Sequence, residues 1–187
     1  MPNLYILCGP SGCGKTTWCN VFMRENDVRY VSRDEIRFSM LKDDEDYFAH
    51  EVDVFKKFTG TLAQTLVDGF DVIADATHLN ARSRQRLTQA IDMRITDYNI
   101  IYVVFNTTCT QCIINNHQRE GRARVPDNVI TGMFRTYSKP TLDEDFRATN
   151  IIEVGEEKED FSYLVLSYGK ETRDEGNLAY FRFAHVP

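Results

Sequence analysis

A chain of 187 residues with 42% hydrophobic and 27% charged side chains is long enough for a full core and reads as one soluble globular unit. No stretch approaches the length of an apolar membrane span, and the first residues enter a strand-like pattern without the regions of a signal peptide, so a cytoplasmic protein that makes no membrane contact is expected. The formal net charge is −6, yet residues 153–175 carry eight acidic against three basic side chains; the acidity sits mostly in the tail and does not exclude a phosphate-rich partner for the rest.

In chain order, the apolar run at residues 4–8 predicts a buried strand, and residues 17–26 predict a helix with Trp18, Val21 and Phe22 on its apolar stripe. Between them, Gly9-Pro10-Ser11-Gly12-Cys13-Gly14-Lys15-Thr16 fits G-x-x-x-x-G-K-[ST], so strand, loop and helix follow in the order a P-loop requires. Glycines let successive backbone N–H groups turn inward around an anion, and the helix start adds a positive pole. The expected nucleotide site is Gly9, Ser11, Gly12, Cys13, Gly14, Lys15, Thr16 and Thr17. Lys15 would reach the β- and γ-phosphates of ATP and the Thr16 hydroxyl would ligate Mg²⁺.

Residues 28–32 form the next strand candidate, and Asp34-Glu35-Ile36-Arg37 opens a helix that the carboxylates suit electrostatically. Asp43 to Asp46 reads as a solvated turn or helix start, followed by a long helix to about residue 67 with Phe48, Val52, Phe55, Leu62 and Leu66 on one face. Residues 71–75 make a strand that exits at Asp75, and Asn80 is placed to N-cap a helix running to about Met93, with Arg82, Arg86 and Arg84 as its polar face. Residues 98–105 are the most β-like run and should be a central strand.

A helix from about Thr110 then leads into the guanidinium-rich segment Arg119, Arg122 and Arg124, Pro126 introduces a helix over 128–137, and residues 149–154 form a further strand. Five cysteines, three of them in or beside the P-loop unit, read as reduced thiols, and the Cys109/Cys112 pair as two small apolar residues opening a helix. The alternation predicts an α/β fold, a P-loop kinase with a central parallel sheet flanked by helices over residues 1–155. Residues 156–187 read as a C-terminal extension with two β-rich runs, a candidate hairpin packed on the same domain or on a partner subunit, which leaves an oligomer through this segment open.

A P-loop alone does not choose among NTPase classes, but its companions do. The guanine-reading N-K-x-D pattern is missing. Asp34 past the second strand, Arg37 three residues on, Asp75 at the third strand's exit and a late arginine cluster make the inventory of a small kinase: base, acceptor anchor, polar group and cationic lid.

The segments GPSGCGKTTW (9–18), SRDEIR (32–37), ADATHLNAR (74–82) and NNHQREGRARVP (115–126) resemble the 5′-polynucleotide kinase family of the bacteriophage end-healing type, over roughly residues 1–145. The resemblance implies that Asp34 is the general base toward a 5′-hydroxyl and that Arg37 holds the acceptor's 3′-phosphate. It also implies that Asp75 is an active-site residue on the acceptor side and that Arg119 engages the donor phosphates from a lid. Two departures stand out: Asn115 occupies a place where the family carries arginine, and the lid is one residue longer, so Arg122 and Arg124 would share its work. The implied partner is the 5′-end of DNA or RNA. A P-loop kinase of a small metabolite or nucleotide sugar, and a nucleotide-dependent regulatory ATPase, are the competing readings.

Overall fold

Period-two alternation sets the architecture. In β1 (Asn3–Cys8) Leu4, Ile6 and Cys8 face one side of a sheet and Leu7 the other; β3 (Asp71–Asp75) divides Val72 and Ala74 from Ile73 in the same way. Strands buried on both faces need two helical layers, and the chain supplies them. The computed structural model describes residues 1–155. In it β1, β2 (Val28–Ser32), β3, β4 (Asn99–Phe105) and β5 (Ala148–Val154) form one fully parallel sheet in the order β2-β3-β1-β4-β5. The candidate hairpin and the proposed extension lie outside the described residues.

One core joins the sheet to α3 (Glu51–Val67) and α4 (Ala81–Asp92) through Phe58, Leu62, Leu66, Leu87 and Ile91. The other joins it to α1 (Lys15–Glu25), α5 (Cys109–His117) and α6 (Asp127–Thr136) through Cys19, Cys109, Cys112 and Ile130. All five cysteines are buried and none forms a disulfide, and Cys109 and Cys112 open α5 as small core residues. Asn80 caps α4 as expected, in a reciprocal pair with Ser83. Strand β4 is interior, between β1 and β5.

Each of three expected helix faces fails at one residue for the same geometric reason: a two-residue offset in a helix turns a side chain through about 200°. On α3 the buried stripe is Val54, Phe58, Leu62 and Leu66, so Val52 is 66% exposed, and Phe48 precedes the helix and is also exposed. On α1 Trp18 and Phe22 pack against the core as expected, stacked on each other at 4.5 Å, but Val21 is exposed and the residue sealed in its place is Cys19. On α4 Arg82 and Arg86 do share the exposed face, but Arg84 points the other way and is 1% exposed, bonded through Nε and Nη2 to Glu144 at 2.7 and 2.6 Å.

Because every strand is parallel, the P-loop after β1, the start of α2 (Arg33–Met40) after β2 and Asp75 ending β3 all emerge at one edge of the sheet. The register pairs Ser32 with Asp75 across β2 and β3. That edge, where the connections leaving the adjacent strands β1 (to β2) and β3 (to β4) run in opposite directions, is where open α/β sheets bind ligands.

Candidate active site

The P-loop is shaped by two left-handed glycines, Gly12 at φ 85° and Gly14 at φ 99°. A side chain at Gly12 has no room: its Cβ would sit 2.3 Å from the Cys112 carbonyl oxygen. Among the described residues, the amides of Gly12, Gly14, Lys15 and Thr16 donate to no protein acceptor, as expected at the open start of α1. Lys15 Nζ folds over the loop and donates to the carbonyls of Gly9 at 3.0 Å and Pro10 at 2.7 Å. Thr16 and Thr17 expose their first-turn positions. Converging amides, an ammonium and exposed hydroxyls fit phosphate oxygens with a hard cation. Cys13 is buried beneath, and burial keeps its thiol protonated despite the Lys15 charge.

Distant segments hold this loop. The Gly9 amide donates to the Thr77 carbonyl at 3.0 Å, Thr107 Oγ1 to the Cys13 carbonyl at 3.2 Å, and Asn115 Nδ2 to the Gly12 carbonyl at 2.8 Å. The last bond gives Asn115 a function of its own: it ties α5 to the P-loop rather than offering a cation.

Asp34 lies in the first turn of α2, but Ser32 is the cap, accepting from the Glu35 amide at 3.2 Å. The Asp34 side chain is 63% exposed. Its Oδ1 accepts from Arg37 Nη1 and from the Tyr47 hydroxyl at 2.8 Å, while its Oδ2 accepts nothing among the described residues. Arg37 is buried: Nη1 also donates to the Tyr47 hydroxyl at 2.8 Å, Nη2 to Glu51 Oε2 at 2.8 Å, and the guanidinium lies 4.4 Å over the Tyr47 ring. Glu51 Oε1 accepts from Arg33. Burial would raise the Glu51 carboxyl, but the bonds and charges of Arg37 and Arg33 outweigh it and hold the group below the usual range. Burial and the Asp34 charge push the Tyr47 hydroxyl up to about 12, so it stays a donor. Phe38 and Phe48 meet the Tyr47 ring edge-on at 6.1 and 4.9 Å.

Asp75 accepts from the Tyr30 hydroxyl at 2.6 Å. Burial raises its carboxyl above the usual range; the Tyr30 bond and the Lys15 and Arg119 charges oppose this, and the Asp34 charge reinforces it. Lys15, Asp34 and Arg119 therefore all lie within electrostatic reach of Asp75, which gathers four predicted residues around that carboxylate. Arg119, half-buried just past α5, belongs to this group. Arg122 reaches across to the carbonyls of Lys42, at 3.1 Å, and Asp43. Arg124 instead lines a shallow depression of about 480 Å³ with Gly121, Pro126 and Asn128, apart from the other predicted residues.

Tyr30, Tyr47 and Glu51 were not singled out from the sequence. Each is an ordinary strand, loop or helix residue there, and only the folded chain carries it to Asp75, Asp34 or Arg37.

Comparison with known proteins agrees with this geometry. A family model described as AAA domain, AAA_33, matches residues 4–140. Among solved structures, the chain is similar to a component of the Pnkp1/Rnl/Hen1 RNA repair complex, with 25% identity and a TM-score of 0.63 over 72% of this chain and 43% of that one. A second structure of the Pnkp1/Rnl/Hen1 complex matches at 28% identity and TM-score 0.53, over 60% of this chain and 38% of that one. The chain thus spans less than half of either. A fungal RNA kinase, at 14% identity and TM-score 0.58, covers 95% of this chain and is covered to 91%, which shows a shared fold. A sugar kinase from a Janibacter species shares the fold equally, at 14% identity, TM-score 0.59 and coverage of 82% and 86%. No curated protein matches the sequence. Among the described residues no helix is long and apolar enough to cross a membrane. A parallel sheet with a P-loop after β1, Asp75 at the end of β3, Asp34 just past the end of β2 and a family match over most of the sequence lead to one assignment: the chain belongs to the AAA_33 family of AAA domains and has the P-loop kinase fold, with the nucleotide binding that fold implies.

Proposed function

We propose that the protein is an ATP-dependent kinase that transfers the γ-phosphate to the 5′-hydroxyl of a polynucleotide. The observation that carries this reading is the state of Asp34. Arg37 and Tyr47 fix one carboxylate oxygen and leave Oδ2 without a partner among the described residues, on an exposed side chain whose charge, like that of the P-loop lysine, reaches Asp75. A carboxylate oriented through one oxygen is prepared to take a proton with the other.

In this scheme Asp34 Oδ2 receives the proton of the acceptor hydroxyl as its oxygen bonds to the γ-phosphorus. The bond from that phosphorus to the bridging oxygen of ADP breaks. Lys15 and Arg119 neutralise the oxygens that gain charge, and Asp75 offsets the two cations between turnovers. The Thr16 hydroxyl would hold Mg²⁺, which supplies further charge neutralisation when bound. Arg37 anchors the acceptor's 3′-phosphate beside the base, with Glu51 keeping its guanidinium in place. Arg122 links the lid to the segment that carries Tyr47, and Arg124 works from the outer side of the lid.

What favours a nucleic acid over a small polyol is the aromatic group next to Asp34. Phe38, Tyr47 and Phe48 meet edge to face, and Phe48 is 63% exposed, a surface on which a base can stack. The 25% identity to a component of an RNA repair complex supports the same reading.

The test is transfer of label from γ-labelled ATP with Mg²⁺ to 5′-hydroxyl DNA and RNA oligonucleotides, beside a pool of small hydroxyl metabolites. Label on oligonucleotides that is lost in Asp34→Ala is the expected result. Label confined to the metabolite pool would overturn the acceptor assignment in favour of a metabolite kinase. ATP hydrolysis with no labelled acceptor would favour the regulatory ATPase.

A further inference from the structure

Next to the Asp34 cluster lies a second, unassigned feature, a cavity of about 210 Å³ between α3, α4 and the loop after β3. Its wall includes three arginines, Arg33, Arg82 and Arg86, with Phe55, Thr77 and His78, and no carboxylate. Arg33 is paired with Glu51, but its Nε is buried without a partner. Arg82 and Arg86 form no hydrogen bond or ion pair among the described residues, although both belong to a chain with more acids than bases. Cations gathered around one hollow with no acid in its wall repel one another until an anion enters.

One carboxylate links the cavity wall to the proposed acceptor site. Glu51 gives one oxygen to Arg33, in the cavity wall, and the other to Arg37 at 2.8 Å, beside Asp34. Thr77, also in the wall, binds the P-loop through its carbonyl. We infer that this cavity receives the phosphodiester that follows the Arg37-bound phosphate along the acceptor strand, so that the acceptor is a chain rather than a single nucleotide. This rests on the kinase reading and names the acceptor class more narrowly.

Size and chemistry agree on a backbone subsite. At about 210 Å³ the hollow is smaller than a whole small-molecule pocket, typically about 300–1,000 Å³, and suits one phosphate with part of its sugar. Phe55, the aromatic ring a base would seek, is already engaged by the guanidinium groups of Arg33 at 5.5 Å and Arg86 at 4.3 Å. Planar guanidinium forks match phosphate oxygens, so the subsite reads charge and leaves base identity unread.

The experiment compares two 5′-hydroxyl acceptors, a nucleoside 3′-monophosphate and a dinucleotide with a 3′-phosphate, which differ by one nucleoside and one phosphate. In the unaltered protein KM is expected to be at least about tenfold lower for the dinucleotide, whatever its bases. In the Arg82→Gln/Arg86→Gln double variant the ratio of the two KM values should fall to about one. Both arginines are exposed, and a thermal melt verifies that the variant is folded. Equal KM values in the unaltered protein, or a ratio that survives the double substitution, would overturn the subsite while leaving the kinase reading intact. Binding of a fluorescent dinucleotide 3′-phosphate, followed by anisotropy without ATP, separates the other failure. If no acceptor is phosphorylated but the double variant binds that probe at least tenfold more weakly, the kinase reading falls and the phosphate subsite stands; unchanged binding removes both.

Discussion

His78 offers a direct check of how the edge of the sheet that carries the candidate site is held together. The residue is buried in a left-handed conformation, φ 38°, directly after the Asp75 strand, and its Nδ1 donates to the Leu7 carbonyl at 3.0 Å. Burial, helped by the Arg33, Lys15 and Arg84 charges and opposed by the Leu7 bond, lowers its pKa from 6.5 to about 4. Folding thus favours the neutral ring. Between those two values the unfolded chain binds the extra proton and the folded chain does not, so stability is present above the unfolded value and is lost as pH falls toward the folded one. At pH 4.5 the loss from this group alone is about 2.5 kcal/mol, from the separation of the two pKa values at about 1.4 kcal/mol per unit.

Asn at position 78 tolerates the same backbone, keeps a donor for Leu7 and does not titrate. Urea unfolding of the unaltered protein and His78→Asn at pH 7 and pH 4.5 cancels the other titrating groups in the difference. The stability gap between the two proteins should shift by about 2.5 kcal/mol in favour of the variant on acidification. A gap that stays constant within about 0.5 kcal/mol would refute a buried neutral His78.

Three further outcomes are expected. Arg84→Met removes the partner of Glu144 and two donors, to the carbonyls of His78 and Ser138, and should cost about 3–5 kcal/mol in urea unfolding. Adding Glu144→Leu should recover most of that, and a single-variant loss below about 1 kcal/mol would contradict the buried pair. Asp75→Asn keeps an acceptor for Tyr30 but removes a carboxylate whose pKa is raised. The stability deficit of that carboxylate is absent below the ordinary aspartate value and appears as pH rises through the folded one, so the variant should be more stable than the parent at pH 7, equal to it near pH 3, and poor in transfer. Gly12→Ala places a Cβ against the Cys112 carbonyl at a strained φ and should abolish binding of a fluorescent ATP analogue, whereas unchanged affinity would mean that α5 does not wall the loop.

What the sequence shows and what it hides follow a physical division. The P-loop, the five strands and the Asn80 cap are local patterns, in which the residues that decide the structure are neighbours in sequence, and these were legible. So was the meeting of Lys15, Asp34, Asp75 and Arg119, because a parallel sheet carries the ends of consecutive strands to one edge. The faces of α1, α3 and α4 were less so, because a helix reverses direction in two residues and Val21, Val52 and Arg84 are each two places from a correct position. Arg84 could not be told from Arg82 and Arg86 without Glu144, sixty residues away. Tyr30, Tyr47 and Glu51 give no signal at all, since a hydroxyl or carboxylate that orients another side chain acquires that role only through tertiary contact.

Asn115 shows how the two halves of the site share their walls. Where the polynucleotide kinases it resembles carry a cation, this chain has an amide that holds the Gly12 carbonyl, while the Arg119 charge reaches Asp75; in the proposed scheme Arg119 alone would meet the donor phosphates from this side. Arg122, one turn further along the lid, is already committed to the carbonyls of Lys42 and Asp43, at the start of the segment that brings Tyr47 to Asp34 and Arg37. The arginine-rich segment after α5 is therefore bonded to the segment that carries Tyr47. The Thr77 carbonyl makes a second such link, binding the P-loop on one side and bordering the arginine-lined cavity on the other. One residue, Thr77, thus both fixes the position of the P-loop and borders the arginine-lined cavity, a shared wall of the kind that the proposed in-line transfer between two bound molecules would require.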